Sequence, residues 1–405
     1  MRRIKLLHLI THLGVGGALD NTLLTVERLC RQRYEVHLAA GSLEPAYSSW
    51  EERGRRCADE VFIFPELQRR VRPWIDARVC RKLASFMQEQ EYDIVHTHCA
   101  KAGVVGRIAA RRSNTQVVVH TFHAFGNQVT RASKKSVPHK LANVLKKQLF
   151  NVAERYTSKI SDRVIAVCEQ NRQMAIDQQL ASPKKITTIY SGIDTARFIA
   201  SGNRTQVLET IGLEPSRPIV GFIGRLAEQK APLDFIAAAK MVLASRADVQ
   251  FVIAGDGPLT NQVKRAVEHE PRIKWIGFYE QVPELMAILD VVAVSSLWEG
   301  LGRSVTEAMI MKVPVAATAV DGIPELVKHG QTGLLSPPGQ ASALAENILE
   351  LLRDPKRAQA MADAARDFID FRFDADTMVK KIDQLYQELL QAKKTDLADV
   401  VPRLT

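Results

Sequence analysis

Aromatic residues are scarce. Phe, Tyr and Trp together make up 6% of the 405 residues, and only four are tryptophans. Proteins that hold single-stranded nucleic acid stack bases on aromatic platforms, and no interleaving of aromatic and basic residues supplies one here. A nucleic-acid partner is therefore not expected. Cysteine is scarce too: Cys30, Cys57, Cys80, Cys99 and Cys168 are scattered, odd in number and free of C-x-x-C spacing. That pattern excludes a disulfide framework and leaves reduced thiols, the condition of a cytoplasmic protein. No apolar run is long enough to cross a bilayer. The opening MRRIKLLHLITHLG places basic residues before an apolar run, as a signal peptide does. Lys5, His8 and His12 interrupt it, however, and a glycine loop stands where a cleavage site should be, so it reads as a first buried strand.

What is present points to a large soluble α/β protein. The length calls for roughly two or three domains. A quarter of the residues are charged and nearly half are apolar, as in globular chains. The formal charge of +10 suits an anionic partner, such as a phosphorylated ligand, an acidic membrane surface or nucleic acid, without by itself choosing among them.

Short β-branched runs alternate with helical patterns along most of the chain, the signature of a parallel α/β architecture. One series of strands is expected at 4–10, 35–40, 61–64, 93–98, 117–122 and 163–167. A second is expected at 219–224, 249–255, 273–278, 291–296, 314–320 and 333–336. Between them, SGIDTARFIASGNRTQ (191–206) reads as an interdomain linker. From about 341 the pattern is entirely helical. Domains are expected at 1–195, 196–372 and 373–405, the last a helix packing back on the first domain. Ligands of doubly wound sheets bind beyond the carboxyl ends of the strands, and the motifs fall there.

Gly14-Val15-Gly16-Gly17 follows the first strand. Such glycines let backbone N–H groups approach a phosphate at a helix start, or simply make a tight turn; without full G-x-G-x-x-G spacing both readings stand. Gly224-Arg225-Leu226-Ala227-Glu228-Gln229-Lys230 follows the first strand of the second series. Arg225 can hold phosphate oxygens with its fork and Lys230 can add a point charge, whereas a solvated surface is the plainer alternative. His96, His98, His120 and His123 gather in HTH and HTFH. No acid or cysteine joins them at a familiar ligand spacing, so no metal is expected. A hydrogen-bonding or proton-handling role is assigned to His123, the others being core histidines. Asp374-Ala375-Asp376 is a D-x-D, the pattern of many metal-using transferases, but its place before a helix explains it as N-terminal capping. The basic segment 131–163 reads as a solvated helix face, with contact to anionic lipid as the alternative.

The stretch WEGLGRSVTEAM (298–309) sets two acids, Glu299 and Glu307, around a Gly-Leu-Gly turn where anions usually bind. With Gly-Arg-Leu-x-x-x-Lys upstream of Glu299-x7-Glu307, the sequence resembles the family-4 glycosyltransferases, retaining enzymes of the GT-B fold. KAGVVGRIAA (101–110), HTFHAFG (120–126), SGID (191–194), AGDGP (254–258) and GIPELVKHGQTGLLSPPG (322–339) extend the resemblance over almost the whole chain. It implies two Rossmann-like domains facing a central cleft and a metal-independent hexosyltransferase. The donor implied is a UDP- or GDP-sugar, with no cofactor, and the acceptor a lipid-linked or polysaccharide glycan. It further implies that Arg225 and Lys230 bind the donor diphosphate and that Glu307, in the first turn of its helix, bonds the ribose. Glu299, with the N–H groups of Gly300, Leu301 and Gly302, would hold the sugar. Gly16 and Gly17 would admit the phosphates, and His123 would sit beside the sugar. Ala231, Leu301 and Ser191 depart from the usual glycine, phenylalanine and asparagine, which bears on donor fit. Acceptor choice would rest on segments 42–80 and 124–140. A sugar-nucleotide isomerase of the 2-epimerase type is the rival on the same fold. Localisation is expected to be cytoplasmic, at the inner face of the membrane if segment 131–163 binds lipid.

Overall fold

The computed structural model describes residues 2–14, 16–43, 48–124, 137–199 and 202–400. Val15 of the glycine loop, part of the 124–140 segment, positions 44–47 and the first six residues of segment 131–163 lie outside them. The chain divides into two compact units, one of residues 1–123, 133–192 and 375–405, the other of 124–132 and 193–374.

The first unit holds a seven-stranded sheet of β1 (Ile4–Leu13), β2 (Tyr34–Leu43), β3 (Glu60–Ile63), β4 (Ile94–His98), β5 (Val117–Phe122), β6 (Arg163–Ala166) and β7 (Ile186–Thr188). All pairs are parallel and the order is β3-β2-β1-β4-β5-β6-β7. The sheet is doubly wound, with its switch point between β1 and β4. The runs LLHLI and IVHTH are buried on both faces, so they read as near-continuous apolar strands rather than alternating ones. Strand β7 was not expected. Its three residues carry one fully buried side chain, too short a run for a period to show.

Helices cover both faces. On one, Met378, Val379, Ile382, Leu385, Tyr386 and Leu389 of the terminal helix Ala375–Val400 recur at helical spacing and pack on Leu6, Ile94, Val117 and Val119. Each such side chain, fully buried, contributes about 1.5–3 kcal/mol. On the other face, helix Ala100–Arg112 lies so close to the sheet that a Cβ at Gly103 would stand 2.5 Å from the His120 ring. That contact accounts for a glycine in KAGVVGR. Arg107, one turn on, is fully buried. Its Nε donates to Gly103 O (2.7 Å) and its Nη2 pairs with Glu154 (2.6 Å) of helix Val137–Ile160.

The second unit holds a six-stranded parallel sheet: β8 (Ile219–Ile223), β9 (Gln250–Ala254), β10 (Ile273–Gly277), β11 (Val291–Val294), β12 (Val315–Thr318) and β13 (Leu334–Ser336). The order β10-β9-β8-β11-β12-β13 puts the switch point between β8 and β11. Phe222, Phe235, Phe251 and Ile253 centre its core. Both units are thus Rossmann-like. Within the expected linker 191–206, Ile193 donates to Phe373 O, and Arg204 already begins helix Arg204–Ile211 with Asn203 as its capping residue. The D-x-D sits at the start of the terminal helix, where Asp376 pairs with Arg28 at 2.6 Å.

Candidate functional site

In the second unit the loops after β8, β11 and β12 meet at the carboxyl edge beside the switch point. The loop after β8 runs through Arg225 to a short 3-10 turn, Glu228–Lys230, which ends at Ala231 with φ 44°. That left-handed residue is where glycine was expected. Ser295 Oγ donates to the Lys230 and Ala231 carbonyls (2.8 and 3.0 Å), tying this turn to the end of β11. Lys230 Nζ then lies 2.5 Å from Glu299 Oε1, which also accepts from Ser296 Oγ at 2.6 Å. Glu299 is only 5% exposed, so its charge is carried by these two donors. Its Oε2 accepts no bond among the described residues. Arg225 is half-buried and pairs with no carboxylate among the described residues.

The WEGLG loop is held at both ends. Gln229 Nε2 donates to Trp298 O (3.1 Å), and Gly322 N donates to Gly300 O (3.0 Å). Asp321, which the sequence reading did not single out, accepts from the Glu299 N–H at 2.6 Å. It has φ 44°, a conformation Asp tolerates better than most residues. Burial pushes its carboxyl up to about 6; the bond from Glu299 N–H opposes this and the Glu299 charge adds to it. The loop ends at Gly302 (φ 96°), which leads into helix Arg303–Ile310. No described residue accepts from the N–H of Leu301 or Gly302, so two backbone donors stand at a helix start. The Leu301 side chain itself is buried.

One expected placement is corrected. Glu307 is in the second turn of its helix rather than the first, because Gly302 delays the helix start to Arg303. There it is largely buried and accepts from Arg303 Nε at 2.7 Å. Arg225, Lys230, Glu299, Gly300, Leu301 and Gly302 nevertheless belong to one edge of one sheet, with Glu307 a turn deeper.

In the first unit a cluster of imidazoles runs from the middle of the sheet to its carboxyl edge. His8 of β1 and His96 of β4 are register partners, and His98 lies two residues on, on the same face. His98 Nε2 is 2.9 Å from His8 Nδ1, and His98 Nδ1 is 3.1 Å from Nε2 of His123. His96 bonds Tyr386 OH (2.5 Å) and Thr121 Oγ1 (2.7 Å). His120, on the other face, bonds Thr97. Burial lowers every one of these imidazoles, His8 and His123 to about 3, so all are neutral at pH 7. His123 therefore offers a hydrogen bond at neutral pH rather than a titrating proton. His8, His96 and His98 each bring a ring nitrogen within 4.8 Å of the others, the ligand count of a metal centre. Hydrogen bonds already occupy both nitrogens of His96 and of His98, and no carboxylate among the described residues joins the group to balance an ion's charge. His8 was missed in sequence because it is 90 residues from its partner. Gly16 precedes helix Gly17–Arg28 in extended backbone, and the space where its Cβ would stand is open, so the fold's own packing does not demand a glycine there.

Residues 15–197 match Glycosyltransferase Family 4, and residues 203–368 match the group 1 glycosyl transferases. The chain is 28% identical to the Escherichia coli UDP-Gal:alpha-D-GlcNAc-diphosphoundecaprenol alpha-1,3-galactosyltransferase, over 96% of this chain and 98% of that one. It is also 28% identical to N-acetyl-alpha-D-glucosaminyl L-malate synthase of Bacillus anthracis, over 80% and 81%. Among solved structures, Anabaena HepE in complex with UDP and glucose superposes with a TM-score of 0.74 at 23% identity, over 95% of this chain and all of that one. The sucrose-phosphate synthase of Thermosynechococcus elongatus does so with 0.77 at 19%, over 96% and 100%.

Proposed function

Because the chain belongs to the family 4, group 1 glycosyltransferases and has their GT-B fold, we propose that it is a retaining, metal-independent hexosyltransferase. The donor on this reading is a UDP- or GDP-sugar, and the acceptor a lipid-linked or polysaccharide glycan. The observation that carries the reading is the make-up of the second sheet's edge: a guanidinium without a carboxylate, two backbone N–H groups without an acceptor and a carboxylate oxygen without a donor, all among the described residues. A nucleotide-sugar is anionic at its diphosphate and rich in hydroxyl donors at its sugars, so it asks for both kinds of group. Arg225 takes the phosphates, joined by Lys230 when the ligand competes with Glu299, and the N–H groups of Leu301 and Gly302 reach the sugar and the adjoining phosphate oxygens. Glu299 Oε2 accepts from the hexose and steadies positive charge at the anomeric carbon. Glu307 accepts from the ribose once Arg303 turns aside. Gly16 and Gly17 admit the phosphate oxygens, and His123 bonds the donor sugar.

In the reaction the bond from the anomeric carbon to phosphate oxygen breaks and the acceptor oxygen bonds that carbon on the same face. The acceptor proton passes to the leaving phosphate. Cations and fixed N–H groups stabilise the growing charge of the leaving nucleoside diphosphate. A peripheral position at the inner face of the membrane is supported by helix Val137–Ile160. Leu149, Val152 and Tyr156 are 55–63% exposed at spacings of three and four, with Arg155 and Lys159 exposed among them. No helix among the described residues is long and apolar enough to cross a membrane. The name of the E. coli relative places its acceptor sugar on a diphosphoundecaprenol.

The test is a screen of UDP-, GDP- and ADP-sugars against a short lipid-linked acceptor with chelator present. Free UDP or GDP and an α-linked product from an α-linked donor are expected. An epimerised nucleotide-sugar with no free nucleotide, or activity lost in chelator and restored by Mg²⁺ or Mn²⁺, would overturn the reading.

A further inference from the structure

Three imidazoles of the first unit are joined in series, and one end of the series is blind. His123 Nε2 meets His98 Nδ1, and His98 Nε2 meets His8 Nδ1. His8 Nε2 is sealed from solvent with no partner among the described residues. His8 is fully buried and His98 1% exposed, whereas His123 is half-buried at the end of β5. The outer nitrogen of His123, Nδ1, bonds no described residue.

A neutral imidazole has one N–H and one lone pair, so two bonds in series can run in only two ways. In one, all three rings are protonated on Nδ1 and the donors point from His8 outward. In the other, all three are protonated on Nε2 and point inward, which leaves a buried His8 N–H with no acceptor. An orphaned buried N–H is rarer and costlier than an unfilled lone pair. We infer that His8 and His98 are positioning residues that lock His123 in its Nδ1–H tautomer, so that it presents a hydrogen-bond donor to an acceptor oxygen of the sugar nucleotide. The blind end means the series cannot conduct a proton. It orients the ring and sets its polarity, and His123 works as a donor rather than a base. The inference rests on the proposed placing of His123 beside the donor sugar.

The experiment is long-range ¹H–¹⁵N NMR on histidine-labelled full-length protein, with steady-state kinetics on UDP-glucose or whichever donor the screen yields. His123 is expected to be protonated on Nδ1 in the unaltered chain. His98→Phe and His8→Phe should release it toward the Nε2–H form and lower kcat about tenfold while leaving donor KM within about twofold. A role confined to packing would lower stability without moving the tautomer. Nε2 protonation of His123 in the unaltered protein overturns the inference, as does a stoichiometric metal ion on His8 and His98. The unaltered protein decides the tautomer even if a variant fails to fold. His123→Ala tests the underlying placing separately: full turnover in that variant removes His123 from the site whatever its tautomer.

Discussion

From the middle of the first sheet to its carboxyl edge runs a group of five imidazoles, all neutral, four of them buried almost completely. At the carboxyl edge of the second sheet the polar groups are ions: Lys230 on Glu299, Arg303 on Glu307, and Arg225 without a carboxylate partner among the described residues. The difference follows from what burial costs. A neutral ring that finds a hydrogen bond can be sealed in the core, whereas a charge must keep a counter-ion or some water. The first edge is therefore a shaped, uncharged wall and the second a charged cradle. Those qualities suit a hexose on one hand and a diphosphate on the other.

Acid should separate the two edges most. The five imidazoles have folded values below their unfolded 6.5, so the unfolded chain binds more protons as pH falls. Their contribution is complete above about 6.5 and is lost progressively below it, on the order of 3 kcal/mol for His8 alone by pH 4.5. Asp321 runs the other way: raised to about 6, it favours the folded state as pH drops from 6 toward 4. Calorimetry between pH 7.5 and 4.5 should show the first unit failing first, and simultaneous failure would erase the contrast.

Next comes the buried ion pair of the first unit. Arg107→Ala strands Glu154, whose Oε1 already lacks a partner among the described residues, and should cost about 3–5 kcal/mol in denaturant unfolding. A loss below 1 kcal/mol would mean that the second unit's ions are no special case.

Glu299→Gln keeps the shape and removes the charge from the second edge. It should lower kcat/KM about 10²–10³-fold, with a donor affinity, read by titration calorimetry, that changes far less. Glu307→Ala should weaken donor binding about tenfold with turnover at saturation nearly unchanged. The smallest expected effect is Ala231→Gly. It relieves a left-handed alanine and, after the added freedom of the unfolded chain, should stabilise the second unit by about 0.5–1 kcal/mol.

Much of this was legible beforehand because parallel strands buried on both faces announce themselves as apolar runs. IVGFIG, VVAVSS and VVVHTF all became strands within a residue or two of their expected ends. The loops that follow them were then marked by position alone. What was not legible involved pairs far apart in the chain. Nothing near His8 signals that it will meet His98, and nothing near Glu299 signals Asp321. Ile186–Thr188 was too short to show a period, and Glu307 was misplaced by a turn because the sequence does not show how long Gly302 stays out of the helix.

The sequence by itself determined two doubly wound sheets, the loops that would gather at the carboxyl edge of each, and the residue types available there. Tertiary structure decided which of those residues touch. Periodicity encodes the face on which a side chain stands, because that depends on local backbone geometry. Whether Lys230 meets Glu299, or three histidines align with one end blind, depends on the register of strands brought together across 69 and 90 residues.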